Sequence, residues 1–371
     1  MAISAGLNSG LLYIGIMSGT SLDGADAVLA DFSTAQCRAL AFCHEPYPAE
    51  LRAELLALNG AGDNEIERSQ LAANQLARIY SRAARCTMQS ANVDAGQIAA
   101  IGCHGQTVRH RPDRQFTVQL NNPALLAELT GCDVVADFRS RDLAAGGQGA
   151  PLVPAFHDGI FRHKDETRVV ANIGGIANLT ILAPDKPAWG FDCGPGNCLM
   201  DVWIARHHVK PYDENGVWAR QGEILPGLLA RLLDEKYFPS PPPKSTGRDL
   251  FNMAWLTSRL VANERPEDVQ ATLLALTAQT IVDHIARHAP GAGRLLVCGG
   301  GANNQALMND IAGRFSCGSV EKTDAYGMPA QQVEALAFAW LALCATKRQP
   351  VDLTATTGAS HASVLGAIYP K

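Results

Sequence analysis

Two carboxylates stand where a side chain could act on a substrate. Asp192 follows the apolar run Trp189–Phe191 and precedes the Gly-Pro-Gly-Asn turn at 194–197. A carboxylate at a strand end, beside a helix start, is well placed to act as a general base, although an Asp that only caps the turn fits equally. Glu334 lies in the apolar helix predicted over 333–340, where a carboxyl group is paired, has a shifted pKa or sits at the helix edge.

Further polar side chains follow apolar runs. His104 and Gln106 come after residues 98–103 in a His-Gly-Gln-Thr sequence, which predicts a binding loop at a strand end, or a turn with a solvated His. Arg139 could bind a substrate carboxylate through its guanidinium fork, or form a surface ion pair. Lys244 ends a Pro-rich run and could contact substrate or be structural.

The segment from residue 19 to residue 26 predicts a phosphate site. It lies between two apolar, strand-like runs and consists of Gly19, Thr20, Ser21, Leu22, Asp23, Gly24, Ala25 and Asp26. Such a hairpin turn presents backbone N–H groups and hydroxyls to an anion, although an ordinary Gly/Ser/Asp turn fits as well. Carboxylates repel a bare phosphate, so Asp23 predicts a divalent cation, held through water. The turn lacks the Lys of a Walker loop.

The same pattern recurs. Residues 168–182 form a second strand, polar turn and strand, with Asn172, Gly174 and Gly175 in the turn. A third cluster, Gly299, Gly300 and Gly301, follows an apolar run and precedes a predicted helix, which is a nucleotide-contact arrangement. The repetition predicts two homologous domains.

Between these turns lie long helical patterns, over about 64–90 and 266–288. Strands in hairpins followed by helices, repeated, predict a mixed α/β fold in two lobes with a cleft. We place the domains at 1–138 and 139–371, with the C-terminal segment packing back on the first domain.

Composition narrows the function classes. The chain has 371 residues, 47% of them hydrophobic, and a net charge of −5 without a basic stretch, so we expect a small-molecule substrate, no nucleic-acid partner and no membrane partner. We expect a cytoplasmic protein because no signal peptide or membrane-spanning run is visible. The ten cysteines lack CxxC spacing and predict buried, reduced thiols, and His284 and His288 predict an exposed helix face.

Taken together, the motifs resemble one known family over essentially the whole chain, the anhydro-N-acetylmuramic acid kinases of bacterial cell-wall recycling. The matching segments are 15–24, 104–107, 136–139, 172–178, 190–197, 298–301 and 333–335. The family belongs to the acetate and sugar kinase, heat-shock chaperone and actin superfamily. The resemblance therefore implies two ribonuclease-H-like domains, with mixed sheets flanked by helices and with ATP and sugar in the interdomain cleft.

The resemblance also implies a reaction. ATP, with Mg²⁺, and water would convert 1,6-anhydro-N-acetylmuramic acid to N-acetylmuramic acid 6-phosphate and ADP. Asp192 matches the family's general base, Glu334 and Arg139 match sugar-site positions, and Gly19–Asp26 match its ATP-phosphate loop. His104 and Gln106 are further candidates for substrate binding, and a homodimer stays open.

Three alternatives stay open at this point. One is another sugar or acyl kinase of the same superfamily, because the phosphate turns are generic. A second is a non-catalytic ATP-dependent clamp. A third is a glycoside hydrolase that uses Asp192 and Glu334 as its carboxylate pair and needs no ATP.

Overall fold

The computed structural model describes residues 11–19, 21–34 and 37–371. Thr20, one of the predicted phosphate-loop residues, lies outside these ranges. The strands are β1 (Leu12–Ser18), β2 (Gly24–Asp31), β3 (Arg38–Pro46), β4 (Ile98–Arg111), β5 (Phe116–Leu120), β6 (Val134–Ala136), β7 (Arg168–Ile173), β8 (Ile176–Leu182), β9 (Trp189–Pro195), β10 (Arg294–Cys298), β11 (Ser319–Lys322) and β12 (Ala367–Tyr369).

Helices separate and cover these strands. They are α1 (Ala49–Ala57), α2 (Glu65–Ala91), α3 (Pro123–Thr130), α4 (Ser140–Ala144), α5 (Pro154–Phe161), α6 (Cys198–His208), α7 (Pro226–Leu233), α8 (Met253–Thr257), α9 (Pro266–His288), α10 (Gln305–Arg314), α11 (Val333–Thr346) and α12 (Thr354–Thr357). The two long predicted helices are confirmed as α2 and α9. Pro266 opens α9 and acidic side chains fill its first turn, as helix-start preferences predict.

Contacts group the chain into two units. One contains the chain up to Phe156 together with Gln332–Lys371, and the other is His157–Gln331. In the first unit the last strand returns to the first sheet, because β12 pairs antiparallel with β6. The domain ranges 1–138 and 139–371 stay predictions.

The two units repeat one strand order. In the first, the sheet runs β12-β6-β4-β1-β2-β3 with β5 beside β4, and in the second it runs β11-β10-β7-β8-β9. In each, three consecutive strands form an antiparallel meander, and the next strands add in parallel beside the first strand of the meander. The predicted mixed α/β fold with a duplicated hairpin is therefore confirmed.

Helices cover both faces of the first unit's sheet. The side chains of Leu12, Ile14 and Ile16 share a buried core with α2, and the alternate positions of β1 face α11. There the helix lies directly on the backbone, because a Cβ at Gly15 would be 1.8 Å from the Ala335 carbonyl oxygen and one at Gly102 would be 2.1 Å from that of Phe338. The missing side chains set the position of α11.

No helix among the described residues is long and apolar enough to cross a bilayer.

Candidate active site

The predicted phosphate hairpin of the first unit is the β1–β2 turn. Leu22 turns the chain with a positive φ of 56°, and its N–H donates to the Gly19 carbonyl at 3.3 Å. Asp23 is exposed at the tip, where its Oδ1 accepts from the Ser21 hydroxyl at 2.5 Å. Asp26 is instead paired with His44 of β3, through Oδ1 and Nδ1 at 2.8 Å. The turn thus has one exposed carboxylate that is bonded to a neighbouring hydroxyl and one carboxylate that is paired with an imidazole.

The side-chain amide of Gln106 holds the start of this hairpin in place. Its side-chain oxygen accepts from the Ser18 hydroxyl, and its Nε2 donates to the Gly19 carbonyl at 3.2 Å. Ser18 in turn is bonded to the Tyr47 hydroxyl at 2.5 Å. Gln106 is almost fully buried, so its amide fixes the end of β1.

The second unit brings its own predicted phosphate residues together. Asn172 lies near the end of β7, and the turn Gly174–Gly175 joins β7 to β8. The Gly174 and Gly175 carbonyls accept from the backbone of Asn197 at 2.8 Å and of Cys198 at 3.1 Å. The start of α6 therefore rests on this turn.

Gly299–Gly301 lie against the same β7 end. Gly299 has φ 80° and ψ 176°, and a Cβ there would lie 2.5 Å from Asn172 Oδ1 and 2.7 Å from the Ile173 carbonyl oxygen. Strand β10, the glycines and α10 follow in the predicted order. The Gly299–Gly301 cluster thus adjoins Asn172 and Ile173 directly, and Asn197, which bonds to Gly174, lies beside Gly300.

Asp192 lies inside β9, not at the end of a strand as predicted. Because β9 is the edge of its sheet, its outer side is bonded to a loop: Asp192 N donates to the Lys244 carbonyl at 3.3 Å, and the Tyr237 hydroxyl donates to the Asp192 carbonyl at 2.7 Å. The carboxylate is held as well, since Thr246 N donates to Oδ2 at 3.0 Å. Asp192 is only 9% exposed, and these contacts fix the direction of its carboxylate.

His104 and Arg139 form a pair in the first unit. Arg139 Nε and Nη2 lie 3.0 and 2.9 Å from His104 Nε2, and Arg139 Nη1 donates to the Gly149 carbonyl at 2.7 Å. Burial, and then the Arg139 cation, hold the pKa of His104 well below its usual range. The imidazole is therefore neutral and accepts from the guanidinium through Nε2. The prediction that His104 and Gln106 lie in a loop is wrong, because both residues lie within the long strand β4.

Glu334 is half-buried in the first turn of α11. One turn later on the same face is Phe338, whose ring centroid lies 4.7 Å from that of His104 and 5.4 Å from that of Phe138. The helix face that carries Glu334 thus packs on the strand that carries His104.

Two sequence predictions outside the site are wrong. His284 is buried, with its Nε2 3.0 Å from Lys244 Nζ, so α9 does not expose it. Cys43 and Cys86 form a disulfide between β3 and α2, because tertiary contact and not spacing brings them together. Burial raises the pKa of the Cys198 thiol to about 12 and raises that of Cys193 further, so these two thiols stay protonated and unreactive.

Sequence reasoning also missed residues. Tyr237 and Thr246 contact Asp192, although residue type and spacing do not identify either as its partner. The local signal that could identify this contact segment is the Pro-rich run before Lys244, because such a run is stiff and can hold a neighbouring strand in place.

Comparison with known proteins identifies the family of this chain. The model of the family described as "Anhydro-N-acetylmuramic acid kinase" matches residues 11–371. A protein of that name from Cupriavidus metallidurans is 54% identical over 371 residues, covering 97% of this chain and 98% of the relative. One from Bordetella parapertussis is 56% identical over 366 residues, covering 97% and 96%. One from Variovorax paradoxus is 53% identical over 373 residues, covering 98% and 100%. The chain therefore belongs to the anhydro-N-acetylmuramic acid kinase family.

Proposed function

We propose that this protein uses ATP and water to open the anhydro ring of 1,6-anhydro-N-acetylmuramic acid and to phosphorylate O6. The products are N-acetylmuramic acid 6-phosphate and ADP. Family membership over nearly the full length supports the reaction, and the fixed Asp192 carboxylate supports the mechanism. Since ATP is a substrate, we place the reaction in the cytoplasm.

The substrate dictates what the enzyme must do. In the anhydro sugar O6 is bonded to C1, so there is no free hydroxyl for a kinase to deprotonate. Water must add to C1 while the C1–O6 bond breaks, and in the same process O6 forms its bond to the γ-phosphorus as the bond to ADP breaks. Coupling the two steps means that a free alkoxide leaving group never has to form.

Asp192 is the proposed general base, which takes a proton from the attacking water. A general base must first lie within hydrogen-bond reach of the proton that it accepts, and only then does its pKa matter. The Thr246 N–H holds one carboxylate oxygen, and the strand backbone is held on both its N–H and its carbonyl, so the side chain starts in a fixed direction. Little reorientation is then needed at the moment of proton transfer.

Arg139, His104 and Glu334 are the proposed sugar contacts. The neutral His104 holds the Arg139 fork from one side, which orients a cation suited to the lactyl carboxylate. Gln106 takes a different role in this proposal: its amide is committed to Ser18 and Gly19, so it orients the phosphate hairpin.

We assign ATP-phosphate binding to both hairpins and to Gly299–Gly301. The second unit supports this, because strand β10, the glycines and α10 follow in a nucleotide-contact order, and the lack of a Cβ at Gly299 lets the cluster lie directly against Asn172 and Ile173 at the end of β7. Asp23 fits Mg²⁺ through water, since it offers an exposed oxygen donor at the hairpin tip and Mg²⁺ keeps much of its hydration. When bound with the nucleotide, Mg²⁺ neutralises charge on the phosphates.

The reaction is tested with ATP, the anhydro sugar and ¹⁸O-labelled water. We expect one heavy oxygen at C1 of the sugar phosphate and none in the phosphate group. Product formed without ATP would indicate a hydrolase, and preferential phosphorylation of plain N-acetylmuramic acid would indicate a different sugar kinase.

The base is tested with Asp192→Asn. Asn can still accept from Thr246 N, so the loop contact survives while the basic group is lost. Because a general base contributes about 10²- to 10⁴-fold, we expect kcat to fall by that factor and ATP affinity to stay within a few-fold. A variant that keeps more than about a tenth of the wild-type rate contradicts the assignment.

A further inference from the structure

The segment Tyr237–Thr246, which we call the 237–246 loop, contacts Asp192 at three points. The Tyr237 hydroxyl bonds its carbonyl, the Lys244 carbonyl accepts its N–H, and the Thr246 N–H bonds its carboxylate. No strand in the described part of the chain pairs with that side of β9, so this loop bonds the strand's backbone where a neighbouring strand otherwise would. The direction of the carboxylate therefore depends on the shape of the loop.

The side chain of Lys244 fastens the loop to itself and to α9. Its Nζ donates to the carbonyls of Tyr237 at 3.1 Å and Phe238 at 3.0 Å, and it lies 3.0 Å from His284 Nε2. His284 Nδ1 lies 2.7 Å from the Thr280 carbonyl and must donate to it, so Nε2 is the acceptor for Lys244. The ammonium thus ties both ends of the loop to the helix behind it.

This arrangement excludes the substrate contact considered for Lys244. An ammonium has three donors, and the three acceptors named above use them. The residue is only 8% exposed, and its Nζ lies 4.6 Å from the centroid of the Tyr237 ring. The charge is directed into the protein, where removing it takes away the donor that two carbonyls and an imidazole nitrogen share.

We propose that Lys244, held by His284, is a positioning residue that fixes the 237–246 loop and through it the Asp192 carboxylate. The inference rests on the proposed role of Asp192 as the base. It assigns to a buried cation of the loop a share of the alignment on which proton transfer depends, because a displacement of about 1 Å can cost about 10²-fold in rate.

Charge reinforces the geometry. Burial lowers the pKa of Lys244 to about 8, so the ammonium is present at neutral pH, and burial lowers the pKa of His284 to about 4, so the imidazole stays neutral. The titratable and charged groups around Nζ are Asp192 and Cys193 of β9, Tyr237 of the loop, and His284, Arg287 and His288 of α9. Attraction by Cys193 and Asp192 opposes the effect of burial on the pKa of Lys244, so the ammonium and this part of β9 are electrostatically coupled.

The test compares Lys244→Met with Lys236→Met, which makes the same chemical change at an exposed site just before the loop. We expect K244M to lower kcat by about 10- to 100-fold, to leave the KM for ATP within about 3-fold, and to move the acidic limb of the kcat profile to higher pH. K236M should match the wild type in all three. A purely structural role would lower the melting temperature and the active fraction without moving the pH limb.

His284 gives a second pair of variants if K244M fails to fold. His284→Gln keeps an acceptor for Lys244 and should stay within about 3-fold of the wild-type kcat, whereas His284→Leu removes it and should lower kcat by more than about 5-fold, as loss of a hydrogen bond to a charged group implies. Equal kcat values for these two variants, or a K244M kcat within 3-fold of wild type, overturn the inference.

Asp192→Asn, measured in parallel, separates this inference from the proposed function. If D192N is inactive and K244M is normal, the positioning role fails and the base stands. If D192N stays active, the base assignment itself fails.

Discussion

Replacing Gly299 with alanine tests whether the glycine cluster of the second unit shapes a nucleotide site. Gly299 has φ 80° and ψ 176°, a combination that is essentially restricted to glycine. The added Cβ would also lie 2.5 Å from Asn172 Oδ1 and 2.7 Å from the Ile173 carbonyl oxygen, whereas ordinary contact begins at 3.4 Å. The cluster must therefore shift by several tenths of an ångström, away from the end of β7.

The expected cost has two parts. Forcing a non-glycine residue into this backbone region costs about 1–3 kcal/mol, and relieving an overpacked contact against backbone costs a further 1–3 kcal/mol. We expect the free energy of unfolding to fall by about 2–6 kcal/mol, less whatever the cluster recovers by moving. Movement spoils the backbone surface offered to the phosphates, so the Kd for a nonhydrolysable ATP analogue should rise by about 10-fold or more, equivalent to at least about 1.4 kcal/mol.

Gly313→Ala is the matched control. A Cβ at Gly313 would have nothing within 4 Å, and the position is exposed in α10, outside the glycine cluster. Calorimetric titration with the analogue and urea unfolding should show G313A with wild-type affinity and no loss of stability, and G299A weakened in both. If the two variants bind the analogue equally well, the glycine cluster does not shape the nucleotide site and the reasoning is refuted.

Two further predictions concern the first unit. Asp26 raises the pKa of His44 through their hydrogen bond, so the pair stabilises the fold below about pH 6.5 and loses this contribution as pH rises through the raised value. The difference in unfolding free energy between wild type and His44→Gln should therefore be larger at pH 6 than at pH 9, by less than about 1 kcal/mol because both groups are substantially exposed; a constant difference contradicts the pairing. Reducing the Cys43–Cys86 disulfide, which spans 43 residues, should lower the unfolding free energy by up to about 4 kcal/mol, whereas Cys43→Ser should show no change on adding reductant.

The sequence was sufficient for the parts of the fold that repeat or carry strong periodicity. The hairpin turns at Gly19 and Gly174 and the helix that begins at Pro266 follow from local residue types, so local reasoning predicts them. The duplication also predicts the repeated strand order, because two copies of one pattern fold into two copies of one sheet.

What the sequence could not supply was the set of long-range contacts. The helical spacing of His284 predicts an exposed side chain. It is buried instead, and its Nε2 contacts Nζ of Lys244, 40 residues earlier in the chain. Similarly, His104 and Gln106 look like loop residues because they follow a short apolar run. Their strand continues past them to Arg111, since β5 pairs with its second half. In both cases the deciding partner is distant in sequence.

Gly15 and Gly102 carry a consequence for reading natural variation in this protein. Neither has a side chain that could bind a ligand, so neither would be chosen in a survey of residues that contact substrate. Yet the path of α11, and with it the first-turn carboxylate of Glu334, depends on the absence of a Cβ at both positions. An allele that replaces either glycine with alanine should therefore abolish the activity. A survey that scores only substrate-contact residues would classify that allele as harmless.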